Sequence, residues 1–185
     1  MIKRRYLFLA ILFMAAWPQG FCQDAEALYR QGLAAAAANN PDFAFISFDT
    51  LVKTFPESPR CPDALFAIAE YYSAQGDLKK SGSFFNQACD EYKDFSGRLF
   101  AFARLYQFAD LANNESHRQD TRDKMLAGNS FSLLFCDYKE RAYRSALGHK
   151  YLARYFIDRI EFFVNGKLFV AIPLGAEGSD LKTRD

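Results

Sequence analysis

Histidine is scarce in this chain, and so is most of what accompanies it at a catalytic or metal centre. The 185 residues include two histidines, His117 and His149, and four cysteines, at positions 22, 61, 89 and 136. They form no CxxC pair and no Cys–His ligand spacing, so neither a metal nor a cofactor is expected. No glycine-rich phosphate loop is present. A nucleophile needs a base and an orienting group, and neither histidine stands in a motif that would supply them. Asp158 and Glu161, on a predicted strand, fall on opposite faces. An excess of one charge is missing too. The formal net charge is +1, far from the basic balance of nucleic-acid-binding domains, so no nucleic-acid partner is expected. The chain reads as a binding protein, not an enzyme. Half of its residues are apolar, which supports a packed core and excludes a wholly disordered chain.

Long apolar runs are limited to one. Lys3, Arg4 and Arg5 precede the run Tyr6 to Trp17, which Pro18 and Gly20 end before the polar Gln23 and Asp24. Basic, apolar, then small-residue cleavage region is the order of a secretory signal peptide over residues 1–22, with Gln23 as the first mature residue. The run is shorter than the roughly 20 residues a spanning helix needs, and no later run approaches that length. No transmembrane span is therefore expected after signal removal. Cys22 leaves open a lipid-modified N-terminus, against which stands the bulky Phe21. An exported protein, periplasmic or associated with the outer membrane, is expected, in a compartment where disulfides persist.

Residues 23–113 contain a repeat. Gly32 and Ala69, Ala44 and Ser81, and Phe48 and Phe85 recur at one shift. Leu99, Phe102, Ala103 and Tyr106 then copy Leu65, Ile68, Ala69 and Tyr72 at a shift three residues smaller. Small residues at i and bulky ones three or four away let helices pack closely. Asn40-Pro41, Asp77 and Ser96 mark helix starts. The pattern predicts helices over 25–38, 41–54, 63–75, 78–93 and 97–112. These form two hairpins and a closing helix, with the array ending at Leu111, because Gln119 stands where another aromatic would be due. The A-x₃-F spacing of Ala44 to Phe48, with Pro56 closing the unit, resembles the tetratricopeptide repeat. Leu28-Tyr29, Phe48-Asp49-Thr50-Leu51, Phe55-Pro56-Glu57-Ser58-Pro59, Ala64-Leu65, Tyr71-Tyr72 and Gly76-Asp77 look like bacterial envelope members of that family. These include the outer-membrane β-barrel assembly lipoprotein and the Tol–Pal coordinating protein.

The resemblance implies a short, mostly α solenoid whose first helices line a concave groove. By position, that groove would carry Tyr29, Leu33, Phe66, Glu70, Ser73, Phe100, Arg104, Gln107 and Phe108. Tyr29, Phe66 and Phe100 would form an aromatic ladder for a protein or peptide partner in the cell envelope, or else pack against the C-terminal segment. Cys61 and Cys89 lie at hairpin ends that meet, which suggests a disulfide between them or two buried thiols.

Residues 114–185 differ in composition. From Gln23 to Glu115 there are eight basic and thirteen acidic residues; from Ser116 onward there are twelve basic and nine acidic. A polar helix is expected over 116–126, with Ser116 and Gln119 at capping-box spacing. Phe131 to Tyr138 reads as a strand. Residues 157–172 read as a β-hairpin around Asn165-Gly166, with Phe162 opposite Phe169 and Phe163 opposite Leu168, followed by a loose tail. Between those strands Lys139, Arg141, Arg144, His149, Lys150 and Arg154 alternate with tyrosines. They form either a solvated face or a peripheral contact with an anionic membrane surface. The fold class expected is a tetratricopeptide-like α-solenoid followed by a small α+β segment. Its role is that of an exported adaptor in outer-membrane assembly or envelope maintenance. The alternatives are a structural component that lends its hairpin edge to a partner's sheet, and an enzyme with its site in the last third.

Overall fold

The computed structural model describes residues 24–128 and 140–174. Six helices come first: α1 Ala25–Ala37, α2 Pro41–Thr54, α3 Cys61–Ala74, α4 Leu78–Glu91, α5 Arg98–Leu111 and α6 Glu115–Gly128. Four strands follow: β1 Glu140–Arg144, β2 Lys150–Tyr155, β3 Arg159–Val164 and β4 Lys167–Pro173. Residues 1–22, the strand expected over 131–138 and the tail from Gly175 lie outside the described residues.

The helices pair as three antiparallel hairpins, each turned by the same local chemistry. Asn39, Gly76 and Asn113 have φ of 56°, 79° and 50°, the left-handed conformation that ends a helix. Each is followed by a capping side chain. Asn40 accepts from the Phe43 amide at 3.2 Å, Asp77 from Lys80 at 3.0 Å and Asn114 from His117 at 3.1 Å. The turn is closed in all three by a bond from the capping residue's own amide to the carbonyl five residues back: Asn40 to Ala35, Asp77 to Tyr72 and Asn114 to Ala109. These dipeptides recur every thirty-seven residues, so the array does not stop at Leu111. The α6 helix packs on α5 and completes a third hairpin. Gln119 is indeed not its anchor; Thr121 and Met125, further along, are buried instead. The cap of α6 is Asn114 rather than Ser116, and Gln119 bonds the Glu115 carboxylate. The cap expected from Ser96 is absent, since Gly97 holds the N-cap position of α5 with no side-chain bond.

Small residues act as the spacing implies. A Cβ on Gly32 would lie 2.5 Å from the Phe48 ring, and both residues are buried where α1 crosses α2. Ser81 takes the same role in the second hairpin, its hydroxyl donating to the Ala69 carbonyl at 2.8 Å.

The strands form one antiparallel meander in the order β1-β2-β3-β4. From Arg141 to Arg154 the basic stretch expected between strands is itself β1, β2 and their connection; Lys139 lies outside the described residues. The hairpin turn is Asn165-Gly166 as read, with both φ positive, but β3 begins at Arg159. Phe163 pairs with Leu168, whereas Phe162 pairs with Val170, not Phe169. A bulge between Phe162 and Phe163 accounts for the shift. Without it, strict alternation from the outward Leu168 would turn Val170 and Ile172 to solvent. With it, both face inward, with Ile172 fully buried.

Candidate functional site: the concave face and its occupant

Of the expected groove positions, the chain's own sheet covers the central ones, whereas Phe108 packs toward Phe85 and Gly82 between α4 and α5. Phe66 of α3 and Phe100 of α5 are completely buried. Phe66 makes ring contacts with Tyr143 of β1 at 5.1 Å and Tyr151 of β2 at 5.4 Å; Phe100 meets the same two rings at 5.8 and 5.6 Å and Phe162 at 6.1 Å. Ala69, Phe85, Leu99, Phe100, Tyr151, Ile160, Phe162 and Ile172 belong to one continuous apolar core shared by helices and sheet. Phe66 and Phe100 are thus closed to an outside partner, which corrects that part of the expected binding site. Of the alternatives left open for the ladder, packing against the C-terminal segment is what the structure shows.

The same contact has a polar half. Glu70 is 5% exposed. Its Oε1 accepts from the Tyr151 hydroxyl at 2.7 Å and lies 2.8 Å from His149 Nδ1. Arg104 of α5 reaches the Tyr151 oxygen at 3.2 Å, donates to Gln107 at 3.0 Å and lays its guanidinium 4.6 Å from the centre of the Phe169 ring. Glu70 Oε2 has no hydrogen-bond partner among the described residues. A second bond crosses from β1 to α3, the Tyr143 hydroxyl donating to Asp63 at 2.8 Å.

Burial, reinforced by the Glu70 charge, pushes the Tyr151 hydroxyl well above its ordinary value. Burial and the Asp63 charge do the same to Tyr143. Both tyrosines therefore stay protonated as donors at any physiological pH. Asp63 is raised by burial, which outweighs the opposing Tyr143 bond and Arg60 charge. His149 is raised by its bond to Glu70, against burial and the Arg104 charge. The cluster is suited to fixing two strands, β1 and β2, by two tyrosine hydroxyls on two carboxylates. Gly97 makes room for it, since a Cβ there would sit 2.4 Å from the Phe95 ring and 2.8 Å from Tyr143.

The remaining groove positions are less covered. Tyr29 belongs to a separate core of the first repeat, packed on Phe48 at 5.8 Å under the Arg60 guanidinium. Ala146 and Leu147, from the connection between β1 and β2, join that core. Leu33 is 36% exposed, while Ser73, Gln107 and Phe108 are half-buried. Cys61 and Cys89 are free buried thiols, so the expected bridge is absent. Cys61 packs in the first-repeat core with its sulfur at the Phe55 carbonyl, while Cys89 packs in the shared core toward Arg98. The two helix ends meet, but the thiols face different neighbours.

Sequence reasoning assigned Tyr143, His149 and Tyr151 to a basic surface stretch and missed their part here. The available signal was the period-two series Tyr151, Ala153, Tyr155 after Gly148, a strand pattern that cationic neighbours masked. No curated protein matches the sequence. A tetratricopeptide repeat model matches residues 26–58, which is the first hairpin with its closing Pro56 turn. The match thus places a tetratricopeptide-like repeat at the head of an array that, among the described residues, has six helices and is closed by its own four-stranded sheet.

Proposed function

We propose that this protein is an exported adaptor or scaffold that holds a protein or peptide partner in the bacterial cell envelope, serving outer-membrane assembly or maintenance. The observation that carries the adaptor reading is the seating of β2. The concave face of the array receives an extended, aromatic-bearing strand, as a groove built from stacked repeats receives a partner. Here the strand is the chain's own. The partner is therefore engaged at the rim left open beside the sheet, by Leu33, Ser73 and Gln107. Export is supported by the basic-apolar-small order of residues 1–22.

Photo-crosslinkers at Leu33 and Gln107 in cells test this. A discrete envelope-protein adduct at these two positions and not at Asn86 of α4, with the chain recovered from the envelope fraction, is the expected result. A cytoplasmic chain would defeat the export reading; equal adducts at all three positions, or none, would defeat the rim.

A further inference from the structure

The outer face of the sheet carries a pattern that holding the array does not require. Inward residues of β2 and β3 alternate with Lys150, Leu152, Arg154, Glu161 and Phe163 on the other side. Across the strands, Ala142 pairs with Leu152, Leu152 with Phe163 and Phe163 with Leu168. This makes one apolar row on the solvent side, ending in a Leu168 that is 54% exposed. Toward the tight turns, that row is bordered by Arg144 and its cross-strand partner Lys150. Both are exposed and have no ion-pair partner among the described residues. At the opposite end, the cations are neutralised: Arg154 pairs with Glu140 at 2.9 Å and Arg159 with Glu161 at 2.9 Å. There the connection from β2 to β3 presents Phe156 and a fully exposed Ile157.

We infer that this face is a docking surface for an anionic phospholipid bilayer. Three features select a membrane over an acidic protein. The outer face of the sheet bears a continuous apolar row. Its free cations line one rim of that row, where headgroup phosphates would meet them. The helical array, with its acidic excess, lies on the opposite side of the sheet, away from the negative surface. The half-exposed row enters the interface while Arg144 and Lys150 release counterions at the headgroups.

The test is co-sedimentation of the full chain with phosphatidylglycerol–phosphatidylcholine vesicles, alongside soluble polyglutamate as a non-lipid polyanion. Replacing Arg144 and Lys150 together by glutamine is expected to weaken vesicle binding about twenty-five-fold, at about fivefold per cation. Leu168→Ser should weaken it several-fold with no effect on polyglutamate. All three side chains are exposed, so circular dichroism should match the parent chain. The N-terminal apolar run is common to every variant, so the differences report the sheet alone. A double variant that binds vesicles like the parent overturns the inference. So does capture by polyglutamate with vesicle binding indifferent to Leu168→Ser, which would make the partner an acidic protein.

Discussion

Phe66→Ala discriminates between an open groove and a closed one. If the ring awaited a partner, its loss would weaken binding and spare the fold. In the structure it is completely buried and touches Phe85 at 5.0 Å, Phe95 at 6.0 Å, Tyr143 at 5.1 Å and Tyr151 at 5.4 Å. Truncating a buried phenylalanine costs about 3–5 kcal/mol, from lost transfer free energy and a cavity that its neighbours fill only partly. Its four aromatic neighbours come from α4, the α4–α5 connection and the sheet, so a value in the upper half of that range is expected. Urea unfolding followed by circular dichroism at helix and tyrosine wavelengths measures it. The helical and tyrosine signals should shift together, because helices and sheet share one core. A loss under about 1 kcal/mol, or a sheet transition moving away from an unchanged helical one, would refute the closed groove.

Other outcomes follow from single contacts. Tyr151→Phe removes the donor to a buried carboxylate and should cost about 2 kcal/mol by thermal or urea unfolding, since bonds to charged groups are worth roughly 1.5–3 kcal/mol; a neutral result would mean Glu70 is satisfied otherwise. Gly32→Ala drives a methyl into the fully buried Phe48 ring and should cost about 1–3 kcal/mol. Both Cys61 and Cys89 should titrate as thiols in denatured, unreduced protein and react slowly in the native state, where burial raises both, Cys89 to about 12.

The fold was legible wherever a local rule determines it. Gly32 with Phe48, the caps Asn40 and Asp77, and the Asn165-Gly166 turn each follow from a few neighbouring residues. The third hairpin was legible too, in Asn113-Asn114 repeating Gly76-Asp77, but the expected Ala-x₃-Phe signature is replaced by Thr121 and Met125 displaced along the helix. What could not be read locally was tertiary. Whether an aromatic ladder faces solvent, a partner or the same chain depends on where a sheet eighty residues away docks, and spacing within a helix does not encode that. The bulge at Phe162 is of the same kind: the inward direction of Val170 and Ile172, not the two-residue turn, decides the register.

The polar half of the docking contact gives the closure a pH dependence of fixed sign. His149 is raised by its bond to Glu70, so the folded state binds its proton more tightly than the unfolded state does. The stabilisation is fully present below the ordinary histidine value and is lost as pH rises through the raised one. Asp63, raised by burial, acts in the same direction in a lower window that opens at the ordinary carboxylate value. His149 is 42% exposed at its side chain, so solvent screens part of its contribution. The melting temperature should therefore fall as pH rises through the neutral range, and His149→Gln should flatten that fall while leaving the acidic limb set by Asp63. A melting temperature that climbs across the neutral range, or a His149→Gln profile that keeps the parent's slope there, would mean that Glu70 and His149 do not clamp the sheet to the array.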